Sequence, residues 1–74
     1  MLLKNGDFFI IESRQLNILD MNFCPLQPPI LGIYYGLEEC HDGSVYTLEE
    51  SVALGRNPVC LRKLLKLDNK YFME

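Results

Sequence analysis

The chain changes its pattern of apolar and polar positions near residue 47. Before that point, short runs of β-branched and aromatic residues, such as residues 8–11, stand between turn-forming pairs, which is typical of antiparallel strands. After it, Leu61, Leu64 and Leu65 recur at intervals of three and four residues, which is typical of an amphipathic helix. The pattern predicts one small α+β domain over 1–74, mainly β in 1–46 and helical in 47–74.

Two turn-forming pairs predict antiparallel β-hairpins in the N-terminal part. Asn5-Gly6 readily takes positive φ angles, so residues 1–4 and 7–11 are predicted to pair. Asp42-Gly43 predicts a second hairpin over about residues 34–46.

Between these hairpins lie a further strand and a proline-rich connector. Residues 16–18 alternate apolar and polar side chains, which predicts the strand. Residues 24–29 contain three prolines, each of which lacks a backbone donor and restricts the preceding residue to extended conformations. We interpret this segment as a stiff linker, a more common role than that of ligand for a proline-binding groove.

The C-terminal part carries two sets of helix-boundary signals. Thr47 and Glu50 have the spacing of a capping box, in which each side chain binds the other residue's backbone N–H. Gly55 suits the left-handed position after a helix, whereas Asn57 and Pro58 suit the cap and first turn of the next. Two helices are therefore predicted, over about residues 48–54 and 58–67.

The stretch 47–66 resembles the helix-turn-helix superfamily at motif level. Members typically have a small residue in the first helix, a glycine four positions later, and aliphatic residues ten and thirteen positions later. Here these are Ser51, Gly55, Leu61 and Leu64. The resemblance covers 20 of the 74 residues and implies a C-terminal helix pair whose second helix enters the major groove.

The resemblance implies that the protein is a small regulator that binds DNA or RNA through a basic C-terminal helix. Arginine and lysine at such positions read guanine edges or contact phosphate. The residues that would face nucleic acid are Arg56, Val59, Arg62, Lys63 and Lys66. The alternative is that this basic face is the solvated surface of a helix, whose dipole favours cations near its C-terminal end.

Charge is distributed unevenly and opens a second functional hypothesis. Residues 1–55 hold two basic and eight acidic residues, a net charge of -6, whereas residues 56–74 hold five basic and two acidic residues, a net charge of +3. The overall net charge of -3 disfavours a protein that coats nucleic acid. In this second hypothesis, a phage-type inhibitor or adaptor docks onto a basic host protein through an acidic surface formed by Glu38, Glu39, Asp42, Glu49 and Glu50.

A third hypothesis is a structural homodimer. A core in a chain of this size stabilises it by only about 3–5 kcal/mol, so small domains often gain stability from a partner subunit. Aromatic residues are enriched at such interfaces, and the candidates are Tyr34, Tyr35, Tyr71 and Phe72.

Catalytic and metal chemistry have little basis in the sequence. Cys24, Cys40, His41 and Cys60 are potential zinc ligands but lack the paired spacing of a structural zinc site. The neighbours Cys40 and His41 would point to opposite faces of a strand, which does not suit a nucleophile and its base. We expect no enzyme activity, no metal and no cofactor. The odd number of cysteines and the absence of a signal-like or membrane-spanning run predict a cytoplasmic protein.

Overall fold

The computed structural model describes residues 1–50 and 59–74, and these residues form seven strands in two antiparallel sheets. The three-stranded sheet has the order β1-β2-β3, and the four-stranded sheet has the order β4-β5-β6-β7. The strands are β1 (Phe8–Glu12), β2 (Gln15–Leu19), β3 (Ile30–Leu31), β4 (Tyr34–Glu39), β5 (Val45–Glu50), β6 (Val59–Leu67) and β7 (Lys70–Met73).

Two tight turns set the register of their hairpins. Ser13 and Arg14 both have positive φ, at 51° and 59°, and join β1 to β2. Asp68 and Asn69, at 51° and 66°, join β6 to β7 in the same way. Two consecutive residues with positive φ are the signature of a type I′ turn, whose twist matches that of the strands it connects. Each hairpin is therefore closed by two residues.

The core lies between the two sheets. Phe9 of β1 contacts Tyr71 of β7 edge to face, with ring centroids 4.8 Å apart, an arrangement that aromatic rings favour. The buried apolar residues come from both sheets and from the N-terminal segment: Leu3, Phe9, Leu16, Ile18, Tyr34, Val45, Leu64 and Tyr71. One shared core thus holds the sheets face to face.

The predicted α+β class is wrong, because the described residues contain no helix and form an all-β fold. Residues 48–50 of the first predicted helix continue β5, and residues 59–67 of the second are β6. Thr47 and Glu50, predicted as a capping box, lie in a strand. The other predicted boundary residues, Gly55, Asn57 and Pro58, fall outside the described residues, as does Ser51 of the motif.

The helix-turn-helix assignment is therefore also wrong. A helix would place Leu61 and Leu64 on one stripe, whereas in β6 Leu64 is fully buried and Leu61 is 67% exposed. The leucine spacing that predicted a helix arises because both faces of this strand carry leucine. Tertiary pairing with β5 and β7 overrides the helix propensity of leucine, arginine and lysine.

The N-terminal predictions are confirmed in part. The turn at Asn5-Gly6 is present, with Gly6 at a φ of 96°. The residues before it form no named strand, but they pair with the chain after the turn through a bridge between Leu2 and Phe8 and backbone hydrogen bonds from Leu3 to Asp7 and from Phe9 to Met1. The strand predicted at residues 16–18 lies within β2, and the hairpin predicted near residues 34–46 is formed by β4 and β5.

The proline-rich segment binds both sheets in addition to connecting them. Leu26 donates its backbone N–H to the carbonyl of Ile18 in β2. The Gln27 side chain accepts the backbone N–H of Tyr71 in β7 at 2.7 Å and donates to its carbonyl at 3.0 Å.

Among the described residues, no helix is long and apolar enough to cross a membrane.

Candidate interaction surface

The predicted nucleic-acid-binding residues that the structure describes are divided between the two faces of β6. Because side chains alternate across a strand, Arg62 and Lys66 lie on the face of β6 that carries buried Leu64, whereas Lys63 lies on the opposite face. Val59 is exposed at the start of the strand. Arg56 lies outside the described residues.

Each of the three placed cations is paired with a carboxylate. Arg62 Nε lies 3.5 Å from Glu49 Oε1, Lys63 Nζ lies 3.6 Å from Asp42 Oδ2, and the corresponding distance from Lys66 Nζ to Asp7 Oδ2 is 2.8 Å. These carboxylates offset much of the positive charge that would attract phosphate, and the sequence neighbours Arg62 and Lys63 lie on opposite faces. The arrangement lacks the continuous basic face that nucleic-acid binding uses.

The pair between Arg62 and Glu49 belongs to a partly buried polar cluster. Glu49 is buried and also accepts a hydrogen bond from the Thr47 hydroxyl at 2.9 Å. Burial, together with the nearby charge of Glu49, raises the pKa of Tyr34 to about 12. The Tyr34 hydroxyl donates to the carbonyl of Ile30 at 3.2 Å. These contacts stabilise the end of the sandwich where β3 leads into β4.

A second polar cluster joins the N-terminal turn to the last hairpin. The buried Asp7 carboxylate accepts hydrogen bonds from Lys66 Nζ at 2.8 Å and from the Tyr71 hydroxyl at 2.7 Å. Asn5 Nδ2 donates to the same hydroxyl at 3.0 Å. Burial raises the pKa of Tyr71, so its hydroxyl stays protonated as a donor. Every polar group here is used within the chain, which identifies the cluster as structural.

The acidic residues predicted to dock onto a basic protein are also dispersed. Glu49 is buried against Arg62, and Glu39 accepts the backbone N–H of Lys4. Glu50 accepts the Tyr35 hydroxyl at 3.1 Å. Asp42 accepts hydrogen bonds from Ser44, which lower its pKa, and it also pairs with Lys63. Of the five, only Glu38 is exposed without a hydrogen bond or ion pair among the described residues.

The potential zinc ligands do not assemble. Across residues 1–50 and 59–74, no three histidine, cysteine, aspartate or glutamate side chains lie close enough to hold a metal ion. Cys24 is exposed, Cys40 and Cys60 are partly buried, and all three are free thiols. His41 is exposed in the turn between β4 and β5.

The four-stranded sheet has an unusually apolar face turned away from the core. We call this the outer face; it consists of the side chains of β4–β7 that point away from the three-stranded sheet. Its apolar residues are between 37% and 67% exposed: Tyr35, Leu48, Val59, Leu61, Leu65, Leu67 and Phe72. Because a fully exposed large apolar residue presents about 200 Å², these seven side chains together expose on the order of 700 Å². Patches above a few hundred Å² mark interaction sites.

Two rows of side chains cross the outer face from β4 to β6. The first row is Gly36, Leu48 and Leu61, and the second is Glu38, Tyr46 and Lys63. Because Gly36 has no side chain, a groove opens above it, lined by Glu38 and Tyr46 and by the two leucines of the first row. A Cβ placed on Gly36 would lie 3.9 Å from Leu48 Cβ, an ordinary contact. The backbone of β4 therefore does not require glycine here.

The sequence prediction missed most of this surface. Leu61 was assigned to a buried helix stripe, and Gly36, Leu48 and Leu65 were given no functional role. Tyr35 and Phe72 were named as dimer candidates and do lie on the outer face, whereas Tyr34 and Tyr71 are buried in the core. The available signal was the alternation of Val59, Leu61, Lys63, Leu65 and Leu67, with Asp68-Asn69 marking the hairpin turn that follows.

No family model, no curated protein and no solved structure matches this chain.

Proposed function

We propose that this chain is a non-enzymatic, cytoplasmic protein-interaction module that binds protein through the outer face of the four-stranded sheet. The observation that carries the proposal is the set of half-exposed apolar side chains on that face. A water-exposed apolar area of this size is costly, and a bound protein surface would remove it from water at about 25 cal/mol per Å².

The other functional hypotheses have weaker support. The described residues include no helix that could enter the major groove. Arg62, Lys63 and Lys66 are paired with carboxylates on two different faces of β6. Docking through an acidic surface would rely mainly on Glu38, because the other four predicted acids are occupied by contacts within the chain. Three free thiols agree with a reducing compartment.

Site-specific photo-crosslinking tests the proposal. A photoreactive phenylalanine analogue is placed at Leu61 on the outer face or, as the matched control, at Leu31, which is 75% exposed on β3 of the other sheet. In cells that produce the chain, we expect protein adducts from position 61 and few from position 31. Equal adducts from both positions, or none from position 61, would contradict the proposed function.

A further inference from the structure

The two rows on the outer face contain complementary features, each two strands apart. In the first row, the groove above Gly36 on β4 matches the projecting Leu61 on β6. In the second, the exposed carboxylate of Glu38 on β4 matches the ammonium group of Lys63 on β6. Within one chain β5 separates these strands by about 9.5 Å, Leu61 forms only one wall of the groove, and Lys63 pairs with Asp42.

We infer that the outer face is covered by a second copy of this chain, related to the first by a two-fold axis parallel to β5. The inference rests on the proposed function and names its partner. This axis lays β6 of each copy over β4 of the other. Leu61 then enters the groove above the partner's Gly36, and Lys63 faces the partner's Glu38. Both matches follow from a single symmetry operation, as expected for an isologous interface.

The charges of the second row select this axis over its neighbours. An axis along β6 would place Lys63 against its own copy. An axis midway between β5 and β6 would place Glu38 against Glu74, which extends the row beside Lys63 through a backbone hydrogen bond of 2.8 Å. Facing like charges cost several kcal/mol at an interface. An axis midway between β6 and β7 would pair Lys63 with Glu74, but it would overlap only those two strands. The axis along β5 pairs opposite charges and also covers Leu48 and the groove above Gly36.

Lys63 retains the capacity for such a contact. Its ammonium group lies 3.6 Å from Asp42 and 5.9 Å from the ring centroid of Tyr46. An ammonium group has three donors, so a further carboxylate can bind it without displacing Asp42. The nearby charge of Asp42 raises the pKa of Lys63, which keeps it charged.

The area of the overlap suits a stable homodimer. The overlapping strands carry five of the exposed apolar side chains: Tyr35, Leu48, Val59, Leu61 and Leu65. At about 200 Å² for a fully exposed large apolar residue, they offer on the order of 500 Å². Because about 65% of a homodimer interface is apolar, the whole interface would bury on the order of 800 Å² per copy, the size of a standard specific interface.

Sedimentation of the purified chain tests the pairing. We expect the wild-type chain to be a dimer, and Leu61→Ser and Gly36→Leu to be monomers with unchanged circular dichroism, since both positions face solvent in one copy. Leu31→Ser is the matched control on the other sheet and should remain dimeric. If the wild-type chain is still monomeric at about 1 mM, its dimerisation is too weak to be specific, and the inference is overturned. A dimer that persists in both outer-face variants also overturns it.

Charge exchange tests the register even if a groove variant fails to fold. Glu38→Lys and Lys63→Glu should each weaken dimerisation about tenfold or more, which corresponds to about 1.4 kcal/mol. The double variant should recover to within about threefold of the wild type. Failure of the double variant to recover would refute the placement of Lys63 opposite Glu38.

The inference can fail while the proposed function stands. Adducts from position 61 to a different protein, combined with a monomeric purified chain, would retain the outer face as an interaction surface and reject the second copy as its occupant. Adducts from position 61 with twice the mass of the chain would support both the outer face as an interaction surface and the second copy as its occupant.

Discussion

Tyr34 shows how a single buried hydroxyl links the fold to pH. Its pKa is raised from 10.0 to about 12, first by burial and then by the charge of Glu49. The folded state therefore favours the neutral hydroxyl more strongly than the unfolded chain does. This contribution to stability is fully present below pH 10 and is lost as the pH rises from 10 towards 12.

We predict that Tyr34→Phe flattens the alkaline loss of stability. The variant should be less stable at neutral pH by about 1 kcal/mol, the usual value of one hydrogen bond, because the bond to Ile30 is lost. Its disadvantage relative to the wild type should then shrink from pH 10 upwards. Urea unfolding of both proteins at several pH values measures this difference, and a constant difference across the alkaline range would contradict the assignment.

At the scale of elements, the β1–β2 hairpin contains a local strain. Arg14 has a φ of 59°, a left-handed conformation that costs a residue with a Cβ about 1–2 kcal/mol and costs glycine little. Asn69 occupies the corresponding position of the β6–β7 turn at 66°, but asparagine tolerates this region better than arginine.

We predict that Arg14→Gly stabilises the protein by about 0.5–1 kcal/mol. Asn69→Gly should give a smaller gain for the reason just described. Glu12→Gly, a control at the last residue of β1, should instead destabilise by a similar amount, because φ is not positive there and glycine loses more conformational entropy on folding. Thermal unfolding of the three variants separates these outcomes, and a loss of stability in Arg14→Gly would argue against a strained turn.

Elements with strong turn signals were predictable, and those defined by distant partners were not. The turns at Asn5-Gly6 and Asp42-Gly43 were found from their residues alone, because positive φ depends on local chemistry. In β6, however, Arg62 and Lys66 lie on the face that carries buried Leu64, where they pair with Glu49 and Asp7. Those carboxylates lie 13 and 59 residues away in the sequence. Because a local pattern does not include such distant partners, the spacing of residues 59–67 predicted an amphipathic helix.

The same limit applies to the candidate site. Its exposed leucines are indistinguishable in sequence from core leucines, and hydrophobicity alone predicted burial for Leu61. Only the pairing of β4, β5 and β6 shows that Gly36, Leu48 and Leu61 form one row on the outer face. The aromatic residues Tyr35 and Phe72 were identified because aromatic side chains are enriched at interfaces whatever the fold.

At the scale of the whole molecule, the positive charge of the most basic strand, β6, is offset within the fold. The net charge is -3, and the cations of β6 are each paired with a carboxylate on one face or the other. Binding to a polyanion requires clustered cations whose contacts release counterions. The described surface offers no such cluster.

We predict that the protein does not bind random duplex DNA in a salt-dependent manner. Fluorescence anisotropy of labelled duplex at low and moderate salt is the measurement, because phosphate contacts weaken steeply as salt increases. Salt-sensitive binding that is lost in an Arg62→Ala, Lys63→Ala variant would restore these residues as a nucleic-acid site and count against a purely protein-binding role.

The polar cluster around Asp7 also affects how the chain reaches its native state. Its hydrogen bonds join residues separated by up to 66 positions, from Asn5 to Tyr71, and the edge-to-face pair of Phe9 and Tyr71 spans a similar distance. Such non-local contacts form only after a long loop has closed. During synthesis, the β1–β2 hairpin therefore emerges long before its packing partner in β7. Its apolar face stays open until β7 has also left the ribosome, so we expect the shared core to form in one late step.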